Sequence, residues 1–195
     1  MKIKKAGHIE IFCGCMFSGK TTHLIKRIAQ LKKSGAKIQV FNFHLDERYG
    51  KNNIISHDGK KIKCEMAKNS TDILKHIKKD TDVVAIDEIH FFNKNLVNLC
   101  TKLADNGKIV LTSGLDKDAF GKPFETATLI MAEAEYVKKV HAKCELCTDK
   151  ASFSYRTNED KNTISVGAKD KYIPLCRNCF NVEYKNRSKK WIQKN

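Results

Sequence analysis

The sequence predicts an α/β fold: a mainly parallel sheet with helices on both faces, followed by a small cysteine-bearing module. Three observations predict it. Short apolar runs at residues 9–12, 83–86 and 109–111 alternate with stretches of helical periodicity, as strands joined by crossover helices do. A glycine-bearing turn of defined spacing joins the first run to the first helical stretch. Beyond about residue 140 the alternation stops and two C-x-x-C pairs take over. Two domains are expected, over 1–140 and 141–195, the second ending in a basic tail.

Taken in order, Ile9-Glu10-Ile11-Phe12 reads as a strand, and Leu24, Ile25, Ile28 and Leu31 mark the inner face of the helix after it. Ser34-Gly35 punctuates, and residues 37–43 alternate as a second strand. Residues 46–63 are polar and glycine-containing, which suits a long loop or hairpin. A short helix is expected from Ser70 or Thr71, either a reasonable N-cap, with Ile73, Leu74 and Ile77 facing inward. The unbroken run Val83-Val84-Ala85-Ile86 suits a strand covered on both faces. Leu96, Val97, Leu99, Cys100 and Leu103 outline a helix that stops at Asn106-Gly107, and Ile109-Val110-Leu111 forms another buried strand. The tail from Asn186 is expected to fray, with Trp191 as its candidate anchor.

Between the first strand and helix, Gly14-Cys15-Met16-Phe17-Ser18-Gly19-Lys20-Thr21 fits G-x-x-x-x-G-K-[ST], the phosphate-binding P-loop, at every defined position. The setting matters as much as the letters. A strand, a tight turn and a helix N-terminus aim several backbone N–H groups and a positive dipole end at one anion. Residues 14–21, with Thr22 beside them, are therefore expected to bind a nucleoside triphosphate.

Asp87-Glu88 follows the 83–86 run directly, at the end where an open parallel sheet places its site. Asp87 suits Mg²⁺, with the Thr21 hydroxyl as another ligand, and Glu88 suits a base for an attacking hydroxyl or water. The same pair could merely open a polar turn and cap the next helix. Asp87-Glu88-Ile89-His90 also matches the D-E-x-H box of helicases, so a nucleic-acid-dependent ATPase is a competing reading. Helicase motors usually need two such domains, and only about 50 residues remain after the first.

Cys144-x-x-Cys147 and Cys176-x-x-Cys179 are separated by 28 residues. Two such knuckles close a tetrahedral S₄ site for one structural Zn²⁺, with no position left open for catalysis. A dithiol redox pair and a lone iron centre stand as alternatives. Structural zinc contributes roughly 10–16 kcal/mol in small peptides, enough to organise a segment with few core residues. Cys13, Cys15, Cys64 and Cys100 read as small buried apolar residues or bystanders. Cys15, inside the P-loop, is also expected to be sensitive to thiol reagents. A non-catalytic zinc adaptor with a degenerate P-loop is a third reading, against which Lys20-Thr21 and Asp87-Glu88 stand intact.

Composition sets the outer bounds. At 195 residues and 41% apolar content the chain can bury a full core, and no apolar run has the length of a membrane span. The apolar run near the basic N-terminus is too short for a signal peptide, so a cytoplasmic protein without a membrane partner is expected. Half of the eight cysteines form matched pairs, as in an intracellular metal protein rather than a disulfide scaffold. The net charge of +15 would attract nucleic acid if it formed one face. Lysines are instead spread along the chain among many Asn and Ile, as in products of AT-rich genomes, and no nucleic-acid partner is expected.

The P-loop, the acidic stretch Asp87-Glu88-Ile89-His90-Phe91-Phe92 and the closing four-cysteine module together resemble the zinc-containing thymidine kinases, human cytosolic and bacterial. Asp46-Glu47-Arg48-Tyr49, Gly114-Leu115-Asp116, Pro123-Phe124 and Gly167-x-x-Asp170-x-Tyr172-x-x-x-Cys176 extend the resemblance over nearly the whole chain. It implies transfer of the γ-phosphoryl group of ATP to the 5′-hydroxyl of thymidine, and to that of deoxyuridine. It further implies Lys20 against the β/γ oxygens, Thr21 and Asp87 on Mg²⁺, Glu88 as general base and Arg48 near the reacting phosphates. Met16, Phe91, Leu115 and Phe120 would meet the base. The loop between the cysteine pairs would fold over the nucleoside as a lasso, with main chain at Thr163, Ser165, Val166 and Gly167 on the pyrimidine edge and Tyr172 lining the pocket. A homotetramer and feedback inhibition by dTTP are implied as well. Two positions depart from the family: His90 stands where Gln is common, and Ala119 where many bacterial relatives carry an aromatic residue.

Overall fold

The computed structural model describes residues 7–43, 53–55, 59–158 and 171–192, with side chains as far as residue 186. The first part runs β1 (His8–Gly14), α1 (Lys20–Lys33), β2 (Ile38–Phe43), β3 (Asn53–Ile55), β4 (Lys61–Lys63), β5 (Glu65–Ala67) and α2 (Ser70–His76). It continues through β6 (Val83–Ile86), a 3₁₀ turn (Ile89–Phe91), α3 (Asn95–Asp105), β7 (Ile109–Gly114), α4 (Glu125–Glu133) and β8 (Tyr136–Val140). The cysteine module follows as β9 (Ala142–Lys143), β10 (Lys150–Ala151), β11 (Phe153–Arg156), β12 (Tyr172–Leu175) and α5 (Arg177–Ile192).

Six strands form one sheet in the order β5-β2-β6-β7-β1-β8, with every pair parallel. Strand alternation decides which face each side chain takes. Ile9, Ile11, Cys13, Val84, Ile86 and Val110 pack with Ile73 of α2, Leu96 and Leu99 of α3, and Ile130 of α4. Phe12, Val83, Ala85 and Leu111 pack on the other side, against Leu24, Ile25 and Ile28 of α1. Helices thus cover both faces, as expected. The consequence for function lies in the order: β7 separates the strand that enters the P-loop from the strand that ends at Asp87.

Several local features differ from the sequence pattern. The polar stretch 46–63 does contain a hairpin, β3 with β4, while residues 44–52 and 56–58 lie outside the described set. Three short elements give no periodic signal: β5 spans three residues, α4 mixes apolar residues around its circumference, and β8 is an edge strand with four exposed positions, two of them Lys. Lysines on an edge discourage pairing with another chain. α2 is capped by Asn69, not by Ser70 or Thr71, because the Asn69 side chain accepts the Asp72 N–H at 2.9 Å. Leu74, expected inside, is 58% exposed; Ile73 alone of that helix is fully buried. The tail, expected to fray from Asn186, continues as helix to Ile192, and the Trp191 side chain lies outside the described set. No described helix is long and apolar enough to cross a membrane.

Asn69→Ala should cost about 1 kcal/mol of stability, the usual value of a lost N-cap. Ser70→Ala should stay within about 0.5 kcal/mol, as surface substitutions do. Urea unfolding of the two variants separates the assignments.

Candidate active site and metal centre

The P-loop takes its shape from backbone placed where few residues can go. Gly14 has φ 151°, and a Cβ there would strike the Val140 carbonyl of β8. Phe17 (φ 63°) and Gly19 (φ 84°) then turn the chain in the left-handed region. Ser18 Oγ (2.7 Å) and Lys20 Nζ (2.8 Å) both donate to the Cys15 carbonyl oxygen, closing the loop on itself. α1 starts at Lys20 with no acidic residue in its first turn, so its positive end is uncompensated by its own side chains.

The acidic pair meets this loop. Thr21 Oγ1 donates to Asp87 Oδ2 at 3.2 Å, across 66 residues of chain. The Glu88 N–H donates to Asp87 Oδ1 at 2.9 Å. Burial first, and the neighbouring Glu88 charge second, push the Asp87 carboxyl up to about 7, against the opposing pull of Ser113, the Glu88 N–H and Lys20. Glu88 itself is left-handed, φ 54° and ψ 39°. Such backbone in a residue other than Gly costs about 1–3 kcal/mol and gathers at functional sites. Here it swings the Glu88 side chain out of the strand's alternation as the 3₁₀ turn begins. Behind it, buried His90 accepts the Leu115 N–H through Nδ1 at 3.2 Å. That bond puts the ring proton on Nε2, so the 3.5 Å approach of Nδ1 to Glu88 Oε2 is a packing contact between two acceptors.

Cys144, Cys147, Cys176 and Cys179 converge, with all four sulfur atoms within 4.8 Å of one another. Zn–S bonds of about 2.3 Å in a tetrahedron put sulfurs about 3.8 Å apart, so the cluster fits one zinc ion. The thiols would also be suited by a cation. Against the burial that would raise it, backbone N–H groups of Cys176, Leu146 and Cys147 hold Cys144 down to about 6. The thiols of Cys147 and Cys176 push Cys179 well above the ordinary range. Divalent charge at the centre lets all of them ionise.

The module also braces the P-loop. Met16 N donates to Ser154 Oγ at 2.9 Å, and Cys15 Sγ to the Ala151 carbonyl oxygen at 3.3 Å. Cys15 is therefore 1% exposed, and burial raises its thiol pKa, which overturns the expected sensitivity to thiol reagents. From the other side the β7–α4 loop leans on the module: Lys117 Nζ sits 4.9 Å from the Phe153 ring centre, and Gly121 lies against Phe153 and Phe180.

Of the residues expected around the base, Met16 is half-buried beside Ser154, and Phe91 stacks on Phe43 with centres 5.4 Å apart. Leu115 and Phe120 lie on the β7–α4 loop, where the Asp118 carboxylate accepts the Phe120 and Lys122 N–H groups. Tyr172 is buried on β12, and its hydroxyl accepts Nε (3.0 Å) and Nη2 (2.8 Å) of Arg156, itself 1% exposed. Arg48, Thr163, Ser165, Val166 and Gly167 lie outside the described residues. Ser154 and Arg156 escaped the sequence reading because neither belongs to a spaced motif. Each matters through a partner 138 and 16 residues away, respectively.

A P-loop beside a buried Asp87 and a half-buried Glu88, at the C-terminal edge of a parallel sheet, defines a nucleotide-binding α/β protein, here joined to a four-cysteine module that fits a structural metal. The family described as thymidine kinase matches residues 7–180. Thymidine kinases of Rhodothermus sp. (strain ITI 518) and Bacteroides thetaiotaomicron are each 40% identical to the chain, over 174 and 177 residues. These alignments cover 89% and 91% of this chain and 81% and 88% of theirs. That of Mycoplasma capricolum subsp. capricolum is 39% identical over 187 residues, 90% of each chain. The chain belongs to the thymidine kinase family. Among solved structures, domain III of the Thermotoga maritima replication initiation protein DnaA overlaps 71% of this chain and 56% of that one, at TM-score 0.38 and 15% identity. That overlap is too loose to carry an argument.

Two outcomes test the site. A carboxyl whose folded pKa lies above its ordinary 3.8 binds more protons folded than unfolded, so it withdraws stability as pH rises from there to about 7. Ligand-free Asp87→Asn should therefore gain thermal stability over wild type at pH 8 and much less at pH 4, read as Tm against pH. Stripping the metal should loosen residues 144–179 and, through Ser154 and Ala151, speed amide exchange in the P-loop as well. An unchanged P-loop would separate the two.

Proposed function

We propose that the chain transfers the γ-phosphoryl group of ATP to the 5′-hydroxyl of thymidine, giving thymidine monophosphate in nucleotide salvage. The observation that carries this is the Thr21–Asp87 hydrogen bond, which joins the P-loop to the acidic pair. Backbone N–H groups of residues 15–21 and the Lys20 ammonium hold the triphosphate. Thr21 and Asp87 are the groups that would hold Mg²⁺. Bound there, the ion would neutralise charge on the β- and γ-phosphate oxygens. Glu88, next to Asp87 and left-handed in its backbone, takes the proton of the 5′-hydroxyl. Phosphoryl transfer leans on positioning, so the rigid bracing of the loop by Ser154 counts toward rate. By family resemblance, Arg48 works near the phosphates, and Met16, Phe91, Leu115, Phe120 and Tyr172 surround the nucleoside. Thr163, Ser165, Val166 and Gly167 read its pyrimidine edge.

A pocket that meets the base through main chain accepts deoxyuridine too, since one methyl is worth about 1–3 kcal/mol. Purine nucleosides are too large for it. We take the chain as a kinase domain over 1–140 and a zinc and lasso domain over 141–195, acting in the cytoplasm as a homotetramer restrained by dTTP.

Incubation of labelled ATP with thymidine, deoxycytidine, deoxyguanosine or single-stranded DNA, with products identified, tests the reading. Phosphorylation of thymidine is expected. Turnover stimulated by DNA and indifferent to thymidine would instead favour the nucleic-acid ATPase. Glu88→Gln should lower kcat by about 10²–10⁴-fold while leaving ATP affinity nearly intact. Full activity in that variant would remove the base assignment.

A further inference from the structure

Ser113 belongs to β7, between the strand that enters the P-loop and the strand that ends at Asp87. On one side its backbone pairs with Phe12. On the other, the pairing of Thr112 with Ile86 brings Ser113 level with Asp87. Strand alternation settles the facing. Leu111 and Ala85, each two residues earlier, both pack in the cluster beneath α1. Ser113 and Asp87 therefore stand side by side on that face, below the helix turn that carries Lys20 and Thr21.

The neighbouring hydroxyl shows what a structural role looks like: Thr112 Oγ1 donates to the Glu10 carbonyl oxygen at 3.1 Å. Ser113 Oγ is as deeply buried, yet it has no hydrogen-bond partner of normal geometry among the described residues. Its place level with Asp87, on the same face of the sheet, sets it beside that carboxyl. A buried hydroxyl left without a partner costs stability, and native proteins seldom keep one without a reason.

We propose that Ser113 is a positioning residue of the nucleotide site, its hydroxyl linking the Asp87 carboxylate to a water of the divalent cation that accompanies the phosphates. The inference rests on Thr21 and Asp87 being the cation site. It adds a third polar group from a third element, and the ligand class is a hydrated divalent cation on a nucleoside di- or triphosphate. Ser113 acts through Asp87 and the water, so its effect belongs to cation-dependent binding and not to the loop's own grip on phosphate.

Calorimetric titration of the zinc-loaded chain with ADP, with and without Mg²⁺, tests this in wild type, Ser113→Ala, Ser113→Thr and Asp87→Asn. Mg²⁺ should tighten ADP binding to wild type. Ser113→Ala should lose about tenfold of that gain, the effect of one hydrogen bond to a charged group, with metal-free ADP affinity unchanged. Ser113→Thr, which keeps a hydroxyl, should recover most of it. Alanine removes an unpartnered oxygen, so ligand-free Ser113→Ala should melt no lower than wild type. An equal Mg²⁺ gain in wild type and Ser113→Ala, lost only in Asp87→Asn, overturns the role of Ser113 and leaves the cation site standing. No Mg²⁺ gain in wild type overturns the cation site, and this inference with it.

Discussion

One hydrogen bond, from the Thr21 hydroxyl to the Asp87 carboxylate, expresses the constraint on which the rest of the molecule depends. It exists because three parallel strands keep matching register: β6 against β7, and β7 against β1. A slip of one residue in either ladder would send Asp87 to the opposite face of the sheet, away from α1. The apolar interleaving of Val83, Ala85, Leu111 and Phe12 with α1 is therefore also what sets Asp87 beside the P-loop. Packing and chemistry are one arrangement here, since the same alternation serves both.

The cysteine module is more than an appendage. Its four thiols converge in a cluster that fits one metal ion, and the strands beside them supply hydrogen-bond partners to Met16 and Cys15. The P-loop is thus held by its own internal bonds from below and by the module from beside. Buried Arg156, fixed on the Tyr172 hydroxyl, extends the same bracing toward the segment between the cysteine pairs. A loop that must hold phosphates without reorganising gains from such support, because preorganised groups need not be ordered again at each turnover.

What could be read from the chain divides along sequence distance. The P-loop, the acidic pair and the cysteine pairs are local spacings with fixed chemistry, and the structure brings the first two together as their spacing implied. β1, β2, β6, β7, α1 and α3 carry clear periodicity. β5 and β8 do not, because a three-residue strand and a lysine-bearing edge strand need only a neighbour's backbone. Asn69 is the cap because the helix begins at Ser70, which leaves Asn69 extended with its side chain on the Asp72 N–H, and a start one residue earlier or later reads equally well in the sequence. Cys15 looked reactive by its position in the loop, and its burial under Ala151 came from the far end of the chain. Ser154 and Arg156 were hidden for the same reason.

Position 14 shows how a fold can narrow its own future. The wall that excludes a side chain there is the Val140 carbonyl, part of the main chain of the adjoining strand. Every amino acid brings that same oxygen, so no exchange at residue 140 can make room. Lineages descended from this sequence can recolour most of its surface, but at that glycine they have no compensating move short of rebuilding the strand beside it.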